Sequence, residues 1–243
     1  MIKVLYFMDG IGNAGGIQEM VINWLKYFPN KKIHVDILSY DTGKLDNYTD
    51  RVSEFGCEVY IIKTFTRRGD FFESINQTKE FFKNHHDYDI LHCHASSKAY
   101  YILKYAKKYG IKIRILHSHC ANFVVKNPLS LIAGKMLKPL ANYKSTHYFA
   151  CSTEAGNFLF GKKRMKQKGY FIPNGVNVDD FTFNSKIKAR ILSELNLQNK
   201  IIIGNVGRFK MQKNHDFLID VFYKIYHTNP KTILLLVGDG GLL

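Results

Sequence analysis

Residues 89–119 read DILHCHASSKAYYILKYAKKYGIKIRILHSH. Two β-rich apolar runs, DILHCH (89–94) and IKIRILHSH (111–119), flank a stretch long enough for a helix. Several of these positions are apolar on both faces, as in a strand covered from both sides. Strand, helix and strand in this order make a βαβ unit, which implies parallel pairing. The pattern extends in both directions. KVLYFM (3–8), HVDILSY (34–40), EVYIIK (58–63) and HYFACS (147–152) read as further strands. Between the first two lies GIQEMVINWLKYF, where Ile17, Met20, Val21, Trp24, Leu25 and Phe28 keep the rhythm of one buried helical face. The expected fold class is α/β, a doubly wound parallel sheet.

Composition narrows the field. Of 243 residues, 46% are hydrophobic and 14% aromatic, enough for a packed core and too many for a disordered chain. No apolar run approaches the ~18 residues of a spanning helix. The opening MIKVLYFMDG reads as a strand and not as a signal peptide. Four cysteines without a CxxC pair suit a reducing compartment. A net charge of +15 favours anionic partners such as nucleotides, nucleic acid or an acidic membrane face, or simply marks a lysine-rich surface.

A change of character comes at YFIPNGVNVDDF (170–181), where Pro173-Asn174-Gly175 is strong turn chemistry. A second strand–helix pattern then starts with KIIIGNVGRF, continues with NHDFLIDVFYKIY and reaches TILLLV. The expected division is a complete domain over residues 1–178 and an incomplete one over 179–243.

Three glycine loops follow strands. In DGIGNAGGIQE, Gly10, Gly12 and Gly15 spell GxGxxG, with Asp41 as a candidate ribose acid. The helical rhythm begins only at Ile17, so Gly15 and Gly16 at a helix N-terminus, favouring phosphate, are an equally natural reading. In GNVGRFKMQKNHDF, Gly204 and Gly207 allow a close turn, and Arg208 and Lys213 set two cations before a helix that Asn214 is expected to cap. Arg offers a planar fork and Lys a point charge, a pairing suited to a diphosphate. The third loop, Gly238, Asp239 and Gly240, says little alone.

Two histidine pairs end strands, His92/His94 and His117/His119, each sharing a face at i and i+2. Their spacing is no standard zinc pattern, so no metal is expected. One of them at a cleft is the sharper reading; strand-end histidines with satisfied hydrogen bonds are the plainer one. Finally, NPLSLIAGKMLKPLANYK (127–144) sets Leu129, Ile132, Met136, Leu137 and Leu140 against Lys135, Lys138 and Lys144, just before the basic GKKRMKQKG. Two readings stand: a core-packed helix, or a basic amphipathic helix lying on an anionic membrane.

GGIQEMV, HSH, CSTEA, IPNGVNVDDF, GNVGRFKMQKNHDFLI and LLLVGDG occur in the order of the large retaining family of GT-B glycosyltransferases. Over nearly its whole length the chain resembles bacterial members that build capsule and exopolysaccharide. The resemblance implies two Rossmann-like domains, an N-terminal one for the acceptor and a C-terminal one for a nucleotide-diphosphate sugar, typically UDP-linked. It implies that Arg208, Lys213 and Gly207 bind the donor diphosphate. Gly15 and Gly16 form the N-terminal glycine loop, Gly238, Asp239 and Gly240 a donor-site loop, and His119 is the catalytic-site histidine. It further implies transfer to a glycan or lipid-linked acceptor in cell-surface polysaccharide synthesis. No cofactor or metal is required, no nucleic acid is a partner, and the location is cytoplasmic, with contact at the inner membrane face left open. The family's pair of glutamates, eight positions apart and past the third glycine loop, has no counterpart here, so the sequence is expected to be a truncated, inactive fragment. The competing functions are a nucleotide-sugar epimerase of the same fold, an NAD-dependent oxidoreductase and a basic nucleic-acid-binding protein.

Overall fold

The computed structural model describes residues 1–11, 15–28, 32–41, 48–64, 70–123 and 127–242. The chain forms two compact units, Met1–Asn177 and Val178–Leu243.

The first unit opens with β1 (Ile2–Met8), α1 (Gly16–Tyr27), β2 (Ile33–Tyr40), α2 (Tyr48–Ser53), β3 (Val59–Ile62) and α3 (Phe71–Asn84). It continues through β4 (Ile90–His94), α4 (Tyr100–Lys108), β5 (Ile113–Ser118), α5 (Pro128–Lys144), β6 (His147–Ala150), α6 (Thr153–Phe160), α7 (Lys162–Lys168) and β7 (Gly169–Phe171). The seven strands form one sheet in the order β3-β2-β1-β4-β5-β6-β7. Every neighbouring pair is parallel. This is the doubly wound α/β fold expected from the sequence. Strand order reverses between β1 and β4, so the carboxyl ends of β1, β4 and β5 lie side by side on the edge where such sheets bind ligands.

Alternate side chains of each strand feed two cores. Leu5, Phe7, Leu38, Leu91, Cys93 and Leu116 pack with Phe82 of α3, Ile102 and Leu103 of α4 and Leu159 of α6. Val4, Tyr6, Met8, Val35 and Ile37 pack with Met20, Val21 and Leu25 of α1 and Val52 of α2. Burial on both faces is why the strands read as nearly continuous apolar runs. β6 is shorter than its sequence suggests. Ser152 leaves the strand and its hydroxyl accepts the Ala155 N–H at 3.2 Å, starting α6.

α5 turns its apolar stripe away from the core. Its buried residues are Gly134, Ala141 and Asn142. Leu129, Ile132, Met136, Leu140 and Tyr143 are all exposed, Leu129 at 75% and Met136 at 68%. The helix packs its small residues inward, with Gly134 close against Phe123, and keeps its large apolar ones outside.

The second unit holds α8 (Ser185–Glu194), β8 (Ile201–Val206), α9 (His215–Thr228) and β9 (Thr232–Val237), with β8 and β9 parallel. Among its described residues only Phe209, His215 and Thr232 are buried.

Gly169 marks a tight point of the first unit, because a Cβ there would lie 2.7 Å from the Met165 Cα and closer still to the Met165 side chain. Gly169→Ala should cost ~1–3 kcal/mol, the scale of overpacking. Gly16→Ala, in open space on a helix, should be neutral or stabilising. Urea unfolding of the two variants checks the contrast.

Candidate functional site

β1 ends at Met8 and α1 begins at Gly16, so Gly15 and Gly16 sit at the carboxyl edge of the sheet. Gly15 occupies the N-cap position in extended backbone, and its carbonyl accepts the Glu19 N–H at 3.0 Å. Gln18 reaches back from α1 to donate to the Gly10 carbonyl at 2.8 Å. Gly12 lies outside the described residues. Asp41 follows β2, where its N–H donates to the Ile62 carbonyl at 2.8 Å.

The histidines come together beside this loop. His92 and His94 leave one face of β4, and His117 leaves the same face of β5; His119 follows one residue past the strand. Within each pair the rings lie close, stacked at 4.2 Å for His92 and His94 and tilted at 4.1 Å for His117 and His119. Across the strands, His92 Nε2 lies 3.2 Å from His117 Nδ1, and His94 Nδ1 lies 3.0 Å from His119 Nε2. Trp24 of α1 stacks on His117, Tyr6 of β1 meets His92 and His94 edge-on, and Phe149 of β6 closes the far side. His92, His94 and His117 are buried, and His119 is half-buried.

This differs from the plainer expectation of strand-end histidines with their hydrogen bonds satisfied. His94 Nε2, His117 Nε2 and His119 Nδ1 are buried without a hydrogen-bond partner among the described residues. One nitrogen of each ring is paired with a histidine nitrogen from across the strands, the tautomers deciding which of the two donates. Burial pushes the imidazoles down, His92 to about 3 and His117 to about 2, with the other histidines adding to the effect. His94 is held well below the usual range for the same reasons. His119 falls to about 4 through burial, opposed by the neighbouring Asn174 amide. The cluster is therefore a set of neutral imidazoles, able to donate or accept a hydrogen bond and to offer lone pairs. One nitrogen each from His92, His94 and His117 lies within 4.8 Å of the others.

The second unit brings its two glycine loops together. The Gly207 N–H donates to the Val237 carbonyl and the Phe209 N–H to the Asp239 carbonyl, both at 2.9 Å. A Cβ on Gly238 would fall 2.0 Å from the Gly207 oxygen, and one on Gly240 would fall 2.4 Å from the Phe209 oxygen. Only glycine permits this approach. Asp239 turns its carboxylate onto the Gly240 N–H at 2.7 Å. The stem of Lys213 lies over Gly207, whose missing side chain leaves it room. Arg208 and Lys213 are both exposed. Asn214 holds the N-cap position of α9 but differs from expectation: its backbone is left-handed (φ 50°, ψ 52°) and its side chain caps nothing. The short 3₁₀ turn Met211–Lys213 hands the chain to α9 through this residue, and Asn tolerates that conformation better than most. Sequence reasoning passed over Phe209 and His215, which stack at 4.6 Å beneath the loop.

The profile of Glycosyltransferase Family 4 matches residues 14–180. The chain belongs to this family. It is 26% identical, over 99% of its length, to the Bacillus subtilis (strain 168) protein named "Putative glycosyltransferase EpsF". It superposes on Anabaena Alr3699/HepE, crystallised with UDP and glucose, with a TM-score of 0.75 at 17% identity over 99% of the chain. A Listeria monocytogenes protein titled a putative UDP-N-acetylglucosamine 2-epimerase shares the fold at a TM-score of 0.60 and 15% identity over 97% of the chain. The chain spans 62% of the length of each of these three proteins. These likenesses make the fold GT-B-like.

The neutral histidine cluster has a consequence for acid stability. In the unfolded chain these imidazoles titrate near the ordinary 6.5, while in the fold they stay neutral to about 4 or below. The unfolded state then binds more protons at intermediate pH, so stability is full above about 6.5 and declines as pH falls from there toward 4. Melting temperatures of chelator-treated protein between pH 7.5 and 4.5 should fall steadily; a flat profile down to pH 5 would contradict the buried neutral cluster.

Proposed function

We propose that this chain is the acceptor domain and part of the donor domain of a glycosyltransferase. The enzyme moves a sugar from a nucleotide diphosphate, UDP-linked in the simplest case, to a glycan or lipid-linked acceptor. The observation that carries the reading is the paired loop of the second unit. Gly207, Arg208 and Lys213 follow β8, the backbone of Gly238–Gly240 locks against them, and α9 begins directly beyond. Open backbone beside two cations at a strand's carboxyl end suits a diphosphate. Family membership and the UDP complexes of a structural neighbour support this choice over an oxidoreductase or a nucleic-acid-binding protein. The epimerase neighbour shares the fold, whereas the family profile favours transfer.

In this reading the diphosphate is the leaving group. Arg208 and Lys213 stabilise its developing negative charge, and no metal is needed for that step. Gly15 and Gly16 present backbone N–H groups to phosphate or acceptor. His119, the most accessible of the four imidazoles, meets the reacting sugar as a neutral hydrogen-bonding group. The transfer is retaining and serves cell-surface polysaccharide. It takes place in the cytoplasm.

The second part of the proposal is contact with an anionic membrane. α5 carries no Asp or Glu, and its exposed apolar stripe runs beside Lys135, Lys138 and Lys144. Lys107 and Lys144 both lie over the exposed Tyr143 ring. Large apolar side chains facing outward among cations suit a helix lying at headgroup depth.

Each charge-assisted hydrogen bond to a phosphate contributes ~1.5–3 kcal/mol. Arg208→Ala or Lys213→Ala should therefore weaken UDP binding ~10–100-fold in calorimetric titration. Tighter binding of NAD or a short oligonucleotide than of UDP would overturn the donor assignment. For the membrane, sedimentation with phosphatidylglycerol vesicles should fall at least several-fold in the Leu129→Ser/Met136→Ser double variant. Equal sedimentation of wild type and variant would remove α5 from the proposal.

A further inference from the structure

We propose that His92, His94 and His117 form a binding site for a divalent first-row transition ion of the zinc class, each contributing one imidazole nitrogen. The site uses none of the cations assigned to the donor and shares only His119, which orients one of its ligands, with the function proposed above.

Four observations carry it. First, the three donors come from the same face of adjacent parallel strands, and one nitrogen from each falls within 4.8 Å of the others. Around a zinc with Zn–N of ~2.0–2.1 Å, tetrahedral ligand nitrogens sit ~3.4 Å apart. Closing the remaining gap asks ring shifts of ~1 Å or less, within reach of small χ rotations.

Second, the empty arrangement is costly. His94 is 1% exposed and His117 0%, yet Nε2 of each has no hydrogen-bond partner among the described residues. A buried polar atom left unpaired costs ~1–3 kcal/mol. An ion converts such lone pairs into bonds.

Third, the other nitrogen of His94 is already held, its Nδ1 lying 3.0 Å from Nε2 of His119. A ligating imidazole is normally oriented through its far nitrogen in this way. His119 is therefore a positioning residue for the ion rather than a ligand.

Fourth, the donor set itself is selective. Three imidazoles without a carboxylate suit zinc, cobalt, nickel or copper, and not magnesium or calcium, which take oxygen ligands. Three neutral ligands leave the ion's charge uncompensated and a coordination position open for water, hydroxide or an anion. Trp24, Tyr6 and Phe149 wall the cluster and keep bulk water from competing.

The test uses tag-free protein of residues 1–243, stripped with a chelator and titrated with Co²⁺ as the spectroscopic probe. The expected result is one Co²⁺ per chain, with visible ligand-field bands of a four- or five-coordinate nitrogen site that one equivalent of Zn²⁺ abolishes. His92→Gln and His117→Gln should weaken binding at least 100-fold, and His119→Gln ~10–100-fold, the scale for a residue that orients a ligand. His86→Gln, which alters an exposed histidine, should bind as wild type. Absence of stoichiometric Co²⁺ and Zn²⁺ binding at micromolar concentration would overturn the proposal, as would unchanged binding in folded His92→Gln and His117→Gln. Where those variants do not fold, ¹⁵N-histidine spectra of wild type decide. Zn²⁺ must shift the resonances of His92, His94 and His117, and shifts confined to other histidines would refute the site.

Discussion

The first unit depends on the pairing of β1 with β4. The two strands are joined where they begin: the Lys3 N–H donates to the Asp89 carboxylate, and the Asp89 N–H to the Lys3 carbonyl, each at 2.9 Å. These residues are 86 positions apart, so the contact closes most of the first half of the unit into one loop. From here β2 and β3 extend the sheet one way and β5, β6 and β7 the other. Because the pairing is parallel, the register carries Tyr6 opposite His92 and Met8 opposite His94. The aromatic wall of the histidine cluster and the glycine loop after β1 are thus set by the same ladder. Loss of that register by a single residue would turn the histidines toward the opposite core, where Phe7, Leu91 and Cys93 now pack.

Much of this is legible in the sequence. Strand identity followed from β-rich runs such as 34–40, and the buried face of α1 followed from the spacing of Ile17, Met20, Val21, Trp24 and Leu25. Both are local patterns, and local patterns survive into the fold. What stayed hidden is non-local. The βαβ pattern implies that the strands of HCH and HSH pair, but it does not give the register that sets His92 beside His117 or the cover by Trp24. The stripe on α5 failed for a different reason: an apolar row at helical spacing looks the same whether it faces a core or solvent. The presence of Gly134, Ala141 and Asn142 on the opposite face was the available signal, since small residues permit close approach. Asn214 was recognised at the right position with the wrong device. The close contact of the Gly238 loop with Gly207 was invisible because the two glycines are 31 positions apart in the sequence.

The two units differ in how well they bury themselves. The first holds two continuous cores, with residues such as Leu5, Phe7, Ile37, Leu38 and Phe82 fully enclosed. The family profile, residues 14–180, falls on this unit. In the second, β9 is at best half-buried beyond Thr232, and Phe217, Val221 and Tyr223 of α9 are exposed. A strand as apolar as TILLLV is the kind that sheets cover on both sides. The second unit therefore exposes apolar surface that the first encloses, while its loop geometry is as closely specified as any in the molecule.

That loop geometry separates scaffold from chemistry. The bonds that hold the two glycine loops together run between main-chain atoms, Gly207 to Val237 and Phe209 to Asp239. The side chains of Arg208 and Lys213 take no part in them. Substitutions at these positions can therefore be sampled by evolution without disturbing the frame, while the glycines are closed to change by steric necessity. A lineage exploring new anionic ligands would drift at the cations and stay fixed at Gly207, Gly238 and Gly240. The same division gives protein engineers a place to diversify specificity without first rebuilding the fold.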